Sequence, residues 1–150
     1  MNNLNELKKF GKEIIKLCKR VGVLPILYGG LLHAHYRGDK SSEINDIDFY
    51  IGEKDFGRVI DLLKKEKIKY NYSKKYHNLQ VLKNGLKVEL DSLDYWYSGK
   101  KNFVQFNFED LKIKALTLEE LKGVYKRASE VSKDNPKGNL KKFNELQKLK

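Results

Sequence analysis

Apolar residues recur at every third or fourth position in several stretches of the chain, which is the spacing of an amphipathic helix. The first such stripe consists of Leu4, Leu7, Phe10, Ile14, Leu17 and Val21. Gly22 follows the stripe where a helix C-cap is expected. A second amphipathic helix is predicted over residues 55–65. A third begins at the capping box Thr117–Glu120, and a short fourth covers residues 140–149 after a linker that contains Pro136.

Short apolar segments between the first two helices predict two β-strands. They cover residues 23–28 and 46–51, and a short helix over residues 31–36 is expected between them. Pro25 lies inside the first segment. Because proline cannot donate a ladder hydrogen bond, it favours either a strand start or an edge strand at this point.

A β-hairpin is the clearest local signal further along the chain. Asn84-Gly85 separates two apolar segments, residues 79–83 and 86–91, and this dipeptide favours a type I′ turn. Residues 68–72 predict a further strand. The aromatic segments 95–97 and 103–108 are also β-prone, because aromatic side chains are enriched in strands.

The order helix, strand, helix, strand, helix and hairpin predicts a mixed sheet. We therefore expect an α/β (α+β) fold, with a small mixed β-sheet, flanking helices and a C-terminal helical segment. A chain of 150 residues is long enough to form one domain with its own core. Residues 1–150 are interpreted as that single domain, with residues 117–150 as a helical appendage.

Two aspartates lie two residues apart in the second predicted strand, Asp46-Ile47-Asp48-Phe49. Because side chains alternate between the faces of a strand, Asp46 and Asp48 are expected to point the same way. Neighbouring carboxylates repel each other unless a cation lies between them, and Mg²⁺ prefers carboxylate and phosphate oxygens. The pair Gly29-Gly30 follows the first predicted strand, and glycine lets backbone N–H groups approach a phosphate at a helix N-terminus.

A third acidic position is expected on the strand after the hairpin turn. Lys87, Glu89 and Asp91 alternate with apolar residues and therefore share one face of this strand. Glu89 has apolar neighbours on both sides, whereas Asp91 has one on a single side. Glu89 is slightly favoured and both remain candidates. A solvated stripe of charges is the structural alternative.

The ordered set Leu27-Tyr28-Gly29-Gly30, Asp46-Ile47-Asp48-Phe49 and Val88-Glu89-Leu90-Asp91 resembles the nucleotidyltransferase superfamily, which has the DNA polymerase β-like fold. The long gap between the glycines and the first aspartate is most similar to the aminoglycoside and lincosamide branch. The resemblance covers about residues 22–95.

The resemblance implies a role for each motif. The implied metal ligands are Asp46, Asp48 and Glu89, with magnesium as the cofactor and manganese as its alternative. The implied catalytic residues are Asp46, Asp48, Glu89 and Asp91. The implied nucleotide-binding residues are Gly29, Gly30, Arg37 and Ser42. For Arg37 and Ser42, ordinary loop chemistry is an equal alternative.

The formal net charge of +11 raises the question of a nucleic-acid partner. Only four of the 31 basic residues are arginines, although arginine is the residue that reads phosphates and bases bidentately. We therefore favour a lysine-rich composition over a dedicated nucleic-acid surface, and RNA remains a second candidate partner. An anionic nucleotide benefits from the positive field in either case.

Other sequence features concern the compartment. The single cysteine, Cys18, cannot form an internal disulfide, and no apolar signal run begins the sequence. No stretch approaches eighteen consecutive apolar residues, so no membrane span is expected. These features predict a cytoplasmic protein.

Two functions follow from the resemblance and the charge. The first is a magnesium-dependent nucleotidyltransferase that moves a nucleoside monophosphate from a nucleoside triphosphate to a hydroxyl of a small molecule, protein or RNA. The second is an inactive module of the same fold that binds RNA or an acidic partner. The antibiotic-modifying branch usually adds a substantial helical domain, and only about thirty residues remain for one here.

Overall fold

The computed structural model describes residues 4–38, 44–97, 102–131 and 135–149. Its strands are β1 (Ile26–Tyr28), β2 (Asp46–Ile51), β3 (Lys69–Ser73), β4 (Asn78–Lys83), β5 (Leu86–Ser92), β6 (Phe103–Phe108) and β7 (Leu111–Leu116). They form one seven-stranded sheet in the order β3-β4-β5-β2-β1-β7-β6. β2 is parallel to β5 and β1 is parallel to β7, whereas the other neighbours are antiparallel. The predicted mixed α/β fold is therefore confirmed.

Helices flank this sheet. They are α1 (Leu4–Arg20), α2 (Gly30–Arg37), α3 (Phe56–Lys65), α4 (Leu93–Trp96), α5 (Leu118–Val131) and α6 (Pro136–Gln147), and a 3₁₀ turn covers Glu53–Asp55. Within the described ranges, no helix combines the length and the apolar content that crossing a membrane requires.

The two faces of the central strands differ in polarity. Ile47, Phe49 and Ile51 of β2 are buried on one face. Helix α1 packs closely there, because a Cβ added at Gly11 would lie only 3.0 Å from Cδ1 of Ile47. The opposite face carries Asp46 and Asp48, which are partly buried. The core under α1 thus holds β2 in place while its carboxylates remain open to one side.

Several predicted elements have the expected local geometry. The strand at residues 46–51 has the predicted bounds. Asn84 and Gly85 both have positive φ angles, 50° and 79°, as a type I′ turn requires. The hydroxyl of Thr117 accepts a hydrogen bond of 3.1 Å from the backbone N–H of Glu120, so the capping side chain predicted for α5 is in place.

Of the two interpretations of Pro25, the strand start is confirmed and the edge strand is wrong. β1 begins only after Pro25 and lies between β2 and β7, so proline marks the strand start and the strand is internal. Its second neighbour, β7, was not predicted. Ile113 and Ala115 of β7 are buried while Lys112 and Lys114 are exposed, a period-two pattern that a strand produces.

One further element differs from the prediction in its type and another in its first residue. The aromatic segment 95–97 is not a strand, because Ser92 caps the short helix α4 by accepting a 3.1 Å hydrogen bond from the N–H of Tyr95. Local capping outweighs β-propensity there. The last helix begins at Pro136 rather than near residue 140, because proline suits a first helical position and Asn135 caps the N–H of Gly138 at 3.2 Å.

Candidate active site

Three carboxylates meet on the polar face of the sheet because β2 and β5 are parallel neighbours. The register pairs Asp48 with Glu89 and Asp46 with Lys87. One oxygen from each of Asp46, Asp48 and Glu89 lies within 4.8 Å of the others, and all three residues are partly buried. We call this group the acidic cluster.

The acidic cluster is electrostatically costly without a cation. Burial raises the pKa of Asp48 well above its usual range, and the nearby charges of Asp46 and Glu89 raise it further. Burial also raises the pKa of Asp46, with Glu89 adding to the effect and Lys87 offsetting part of it. Hard carboxylate oxygens at this spacing fit a divalent cation such as Mg²⁺. The ammonium group of Lys87, 3.5 Å from Oδ2 of Asp46, already occupies the neighbourhood as a positive charge.

Gly29 approaches the acidic cluster so closely that no side chain fits. Its φ of 81° lies in the left-handed region, and an added Cβ would overlap Oδ2 of Asp48. Its carbonyl accepts a 2.9 Å hydrogen bond from the N–H of His33, which starts α2 beside the carboxylates. Gly30 differs, because nothing lies within 4 Å of a Cβ added there. The helix N-terminus is thus adjacent to the acidic cluster.

Asp91 lies two residues beyond Glu89 on the same face but has different partners. The hydroxyl of Tyr28 donates a short hydrogen bond to Oδ2 of Asp91, and Nδ2 of Asn78 donates one of 2.6 Å to Oδ1. Burial raises the pKa of Asp91 to about 6, although both hydrogen bonds act in the opposite direction. Tyr28 is itself stacked on Tyr50, with ring centroids 3.8 Å apart. Asp91 is therefore held in place by side chains outside the acidic cluster.

A cleft of about 1010 Å³ opens beside Glu89 and Asp91. Much of its wall is aromatic, from Tyr28, Tyr50, Tyr72, Tyr76, Trp96 and Tyr97. Residues of α5, among them Val124 and Arg127, form part of the wall as well. Trp96 and Tyr97 of the aromatic segment 95–97 thus belong to the wall of the cleft rather than to a strand.

Helices α5 and α6 bring two further residues that sequence reasoning missed. The hydroxyl of Tyr125 is buried and has no hydrogen-bond partner among the described residues. Burial raises the pKa of Tyr125, and the charges of Asp48 and Asp46 contribute, which places this residue near the acidic cluster. The Nζ of Lys142 lies 5.3 Å from the Tyr125 ring centroid. In a lysine-rich sequence, nothing local distinguishes Lys142 from its neighbours.

The other predicted nucleotide-binding residues have different locations. Arg37 lies at the opposite end of α2 from Gly30, about 10 Å along the helix axis. There its Nη1 pairs with Oε2 of Glu145 at 2.8 Å, which links α2 to α6. Ser42 lies outside the described residues. A role for either residue in nucleotide binding stays a prediction.

Comparisons with known proteins place the fold. No family model and no curated relative matches the sequence. A lincosamide antibiotic adenylyltransferase, solved with lincomycin bound, superposes with a TM-score of 0.62 and 16% identity over 93% of this chain and 96% of that chain. The antibiotic-resistance factor ANT(2'')-Ia gives 0.69 and 11% over 99% of this chain and 85% of that chain. An antigenic nucleotidyltransferase-like protein from Paracoccidioides brasiliensis gives 0.63 and 12% over 95% and 75%.

The chain therefore has the nucleotidyltransferase fold, and the structural likeness includes proteins of the antibiotic-modifying branch. This confirms the resemblance inferred from the motifs at the level of fold. The branch is expected to add a substantial helical domain in most of its members, but this chain covers 96% of the lincosamide adenylyltransferase chain, which leaves no room for such a domain there.

The contrast between Gly29 and Gly30 gives a matched pair of variants. Gly29→Ala should destabilise the protein by about 1–3 kcal/mol, because it combines a positive φ with an overlap against Asp48. Gly30→Ala should be neutral or slightly stabilising, because the new methyl group enters open space at a helix start. Urea unfolding of both variants measures the difference. Equal losses of stability would contradict the close approach of Gly29 to Asp48.

The raised pKa of Asp48 gives a pH-dependent prediction for Asp48→Asn. Since the fold favours the protonated form, the stabilising contribution of Asp48 is present below its unfolded pKa and is lost as pH rises through the folded pKa. In EDTA near pH 8, Asp48→Asn should therefore be more stable than wild type by on the order of 1 kcal/mol, and near pH 4 the difference should vanish. Thermal unfolding across this pH range tests the sign; a variant that is less stable at pH 8 refutes it.

Proposed function

We propose that this chain is a metal-dependent nucleotidyltransferase that moves a nucleoside monophosphate from a nucleoside triphosphate to a hydroxyl group, with pyrophosphate as the leaving group. The observation that carries the proposal is the acidic cluster of Asp46, Asp48 and Glu89 directly beside a glycine-led helix N-terminus, at the edge of an open cleft. Neighbouring carboxylates, phosphate-binding backbone and space for an acceptor are the three requirements of this reaction.

The acidic cluster would hold magnesium, or manganese in its place. A bound divalent ion supplies charge neutralisation on the phosphates and orients them for in-line attack at the α-phosphorus. The backbone N–H groups at Gly29 and Gly30 would bind triphosphate oxygens, helped by the dipole of α2. Tyr125 and Lys142 lie on the α5–α6 side of the acidic cluster, where a hydroxyl donor and a cation suit an anionic substrate.

Glu89 and Asp91 would have separate roles. Glu89 belongs to the acidic cluster, and its register neighbour is Asp48. Asp91 is fixed by Tyr28 and Asn78 and lines the cleft. A carboxylate of raised pKa in that position suits an acceptor hydroxyl, which it can orient or deprotonate. Glu89 is thus the proposed third metal ligand, and Asp91 is the proposed acceptor-side residue.

A small molecule is the acceptor that the cleft supports best. Its volume of about 1010 Å³ is at the upper end of what small-molecule sites usually have. Aromatic walls with carboxylates and amides among them offer stacking surfaces together with a few polar contacts. A lincosamide adenylyltransferase of the same fold has lincomycin bound, and ANT(2'')-Ia has been solved with adenylyl-2''-tobramycin. Lincosamides and aminoglycosides are therefore the first probes.

Nucleotide-dependent stabilisation tests the proposed function. Wild type with Mg²⁺ and the preferred nucleoside triphosphate should unfold at a temperature about 8 °C higher, when the ligand is near 100 times its Kd. Asp46→Ala/Asp48→Ala should lose this rise, because the metal ligands are gone. Differential scanning calorimetry with each of the four triphosphates, with and without Mg²⁺, measures it. No rise in wild type with any of them refutes the enzyme and favours an inactive module that binds RNA or an acidic partner.

The two roles proposed for Glu89 and Asp91 predict different losses. Glu89→Gln should weaken the Mg²⁺-dependent stabilisation by nucleotide, because one charged ligand is removed. Asp91→Asn should keep that stabilisation but lower pyrophosphate release in the presence of an accepted hydroxyl compound by about 100-fold. A panel of lincosamides and aminoglycosides with a pyrophosphate assay provides the second readout. Loss of metal-dependent stabilisation in Asp91→Asn alone would reverse the two assignments.

A further inference from the structure

The ammonium group of Lys87 lies beside the acidic cluster and pairs with two of its three carboxylates. Its Nζ is 3.5 Å from Oδ2 of Asp46 and 3.8 Å from Oε1 of Glu89. Both contacts follow from the sheet, because Lys87 is the register partner of Asp46 and shares a face with Glu89. The Lys87 side chain is 36% exposed to solvent, so it can swing away from the carboxylates without disturbing the core.

The position of this ammonium group has an electrostatic cause. The ligand oxygens of Asp46, Asp48 and Glu89 lie within 4.8 Å of one another, so the potential between them is strongly negative. An ammonium group and a divalent metal ion are both attracted to the space between these oxygens. The Nζ of Lys87 touches two of the three carboxylates that a metal ion would need, and its charge repels a second cation there.

We propose that Lys87 is the counter-ion of the metal site in the free protein and that a divalent cation displaces its ammonium group from Asp46 and Glu89. The displaced ammonium group then pairs with the phosphates that bind together with the metal. This inference rests on the proposed function, since it assumes that the acidic cluster holds a metal. It adds a residue and a binding order that the three carboxylates alone do not imply.

The exchange has a thermodynamic consequence. Metal alone binds weakly, because it must break two ion pairs and leave Lys87 without a partner. Metal together with a polyphosphate binds tightly, because the displaced ammonium group gains phosphate oxygens. Each ligand therefore strengthens the other, and the coupling is the same in both directions. A metal ion that coordinates the phosphates couples the two ligands by itself, and the exchange adds a part of this coupling that depends on Lys87.

Lys87→Met separates the two contributions of this lysine. Removing the competing charge should tighten binding of Mg²⁺ alone by roughly tenfold. Removing the phosphate partner should weaken binding of inorganic tripolyphosphate at saturating Mg²⁺ several-fold. Isothermal titration calorimetry measures both affinities, and tripolyphosphate avoids any dependence on the nucleobase. Lys87→Gln carries the same expectation in case the methionine variant does not fold, and Lys87→Arg should stay close to wild type.

Lys83→Met is the matched control. It removes one positive charge from the same hairpin, but its Nζ pairs with Oε2 of Glu13 at 3.0 Å rather than with the acidic cluster. It should leave both affinities unchanged. If Lys87→Met binds Mg²⁺ no more tightly than wild type does, the exchange is refuted while the metal site stands. If the Mg²⁺ affinity rises but no protein binds tripolyphosphate, the displacement stands and the proposed nucleotide function fails. No Mg²⁺ binding to any of these proteins refutes both.

Discussion

The repulsion among three partly buried carboxylates is the constraint on which the site depends. The parallel pairing of β2 with β5 brings together Asp46, Asp48 and Glu89. Each carboxylate loses part of its hydration there, because it is partly buried. The apolar residues on the reverse of the same strands, such as Phe49 and Leu90, are fully buried and hold the register. Because a one-residue slip would move the acids to the apolar face, the core and the acidic cluster specify each other.

The close approach of Gly29 to Asp48 depends in turn on the internal position of β1. β1 pairs antiparallel with β2, which sets Tyr28 opposite Asp48 and directs the following glycine over the carboxylate. β1 has only three residues, and pairing with β7 on its other side supports it. β7 is thus remote in sequence from Tyr28 and Gly29, although its pairing with β1 helps to position both.

Local sequence patterns predicted the parts of this protein that local physics determines. The alternation around Asp48, the Asn84-Gly85 turn and the cap at Thr117 each depend on a few neighbouring residues. By contrast, the parallel pairing of β1 with β7 and the surroundings of Asp91 depend on residues that are far apart in sequence. Glu89 and Asp91 are a further example: flanking residues slightly favoured Glu89, whereas only the fold shows that Glu89 joins the acidic cluster and that Asp91 pairs with Tyr28.

The C-terminal helices show why the remainder of the site could not be predicted. Their sequence is rich in lysine, and a solvated helix face explains such a pattern as well as a binding role does. In the fold, α5 forms part of the cleft wall, and Lys142 of α6 lies near Tyr125 beside the acidic cluster. What separates these residues from other lysines and tyrosines is proximity to carboxylates of β2, which is far away in sequence: Asp46 and Asp48 for Tyr125, and Asp46 for Lys142. The charge that a given lysine faces in a lysine-rich chain is therefore determined by the fold and not by its neighbours in sequence.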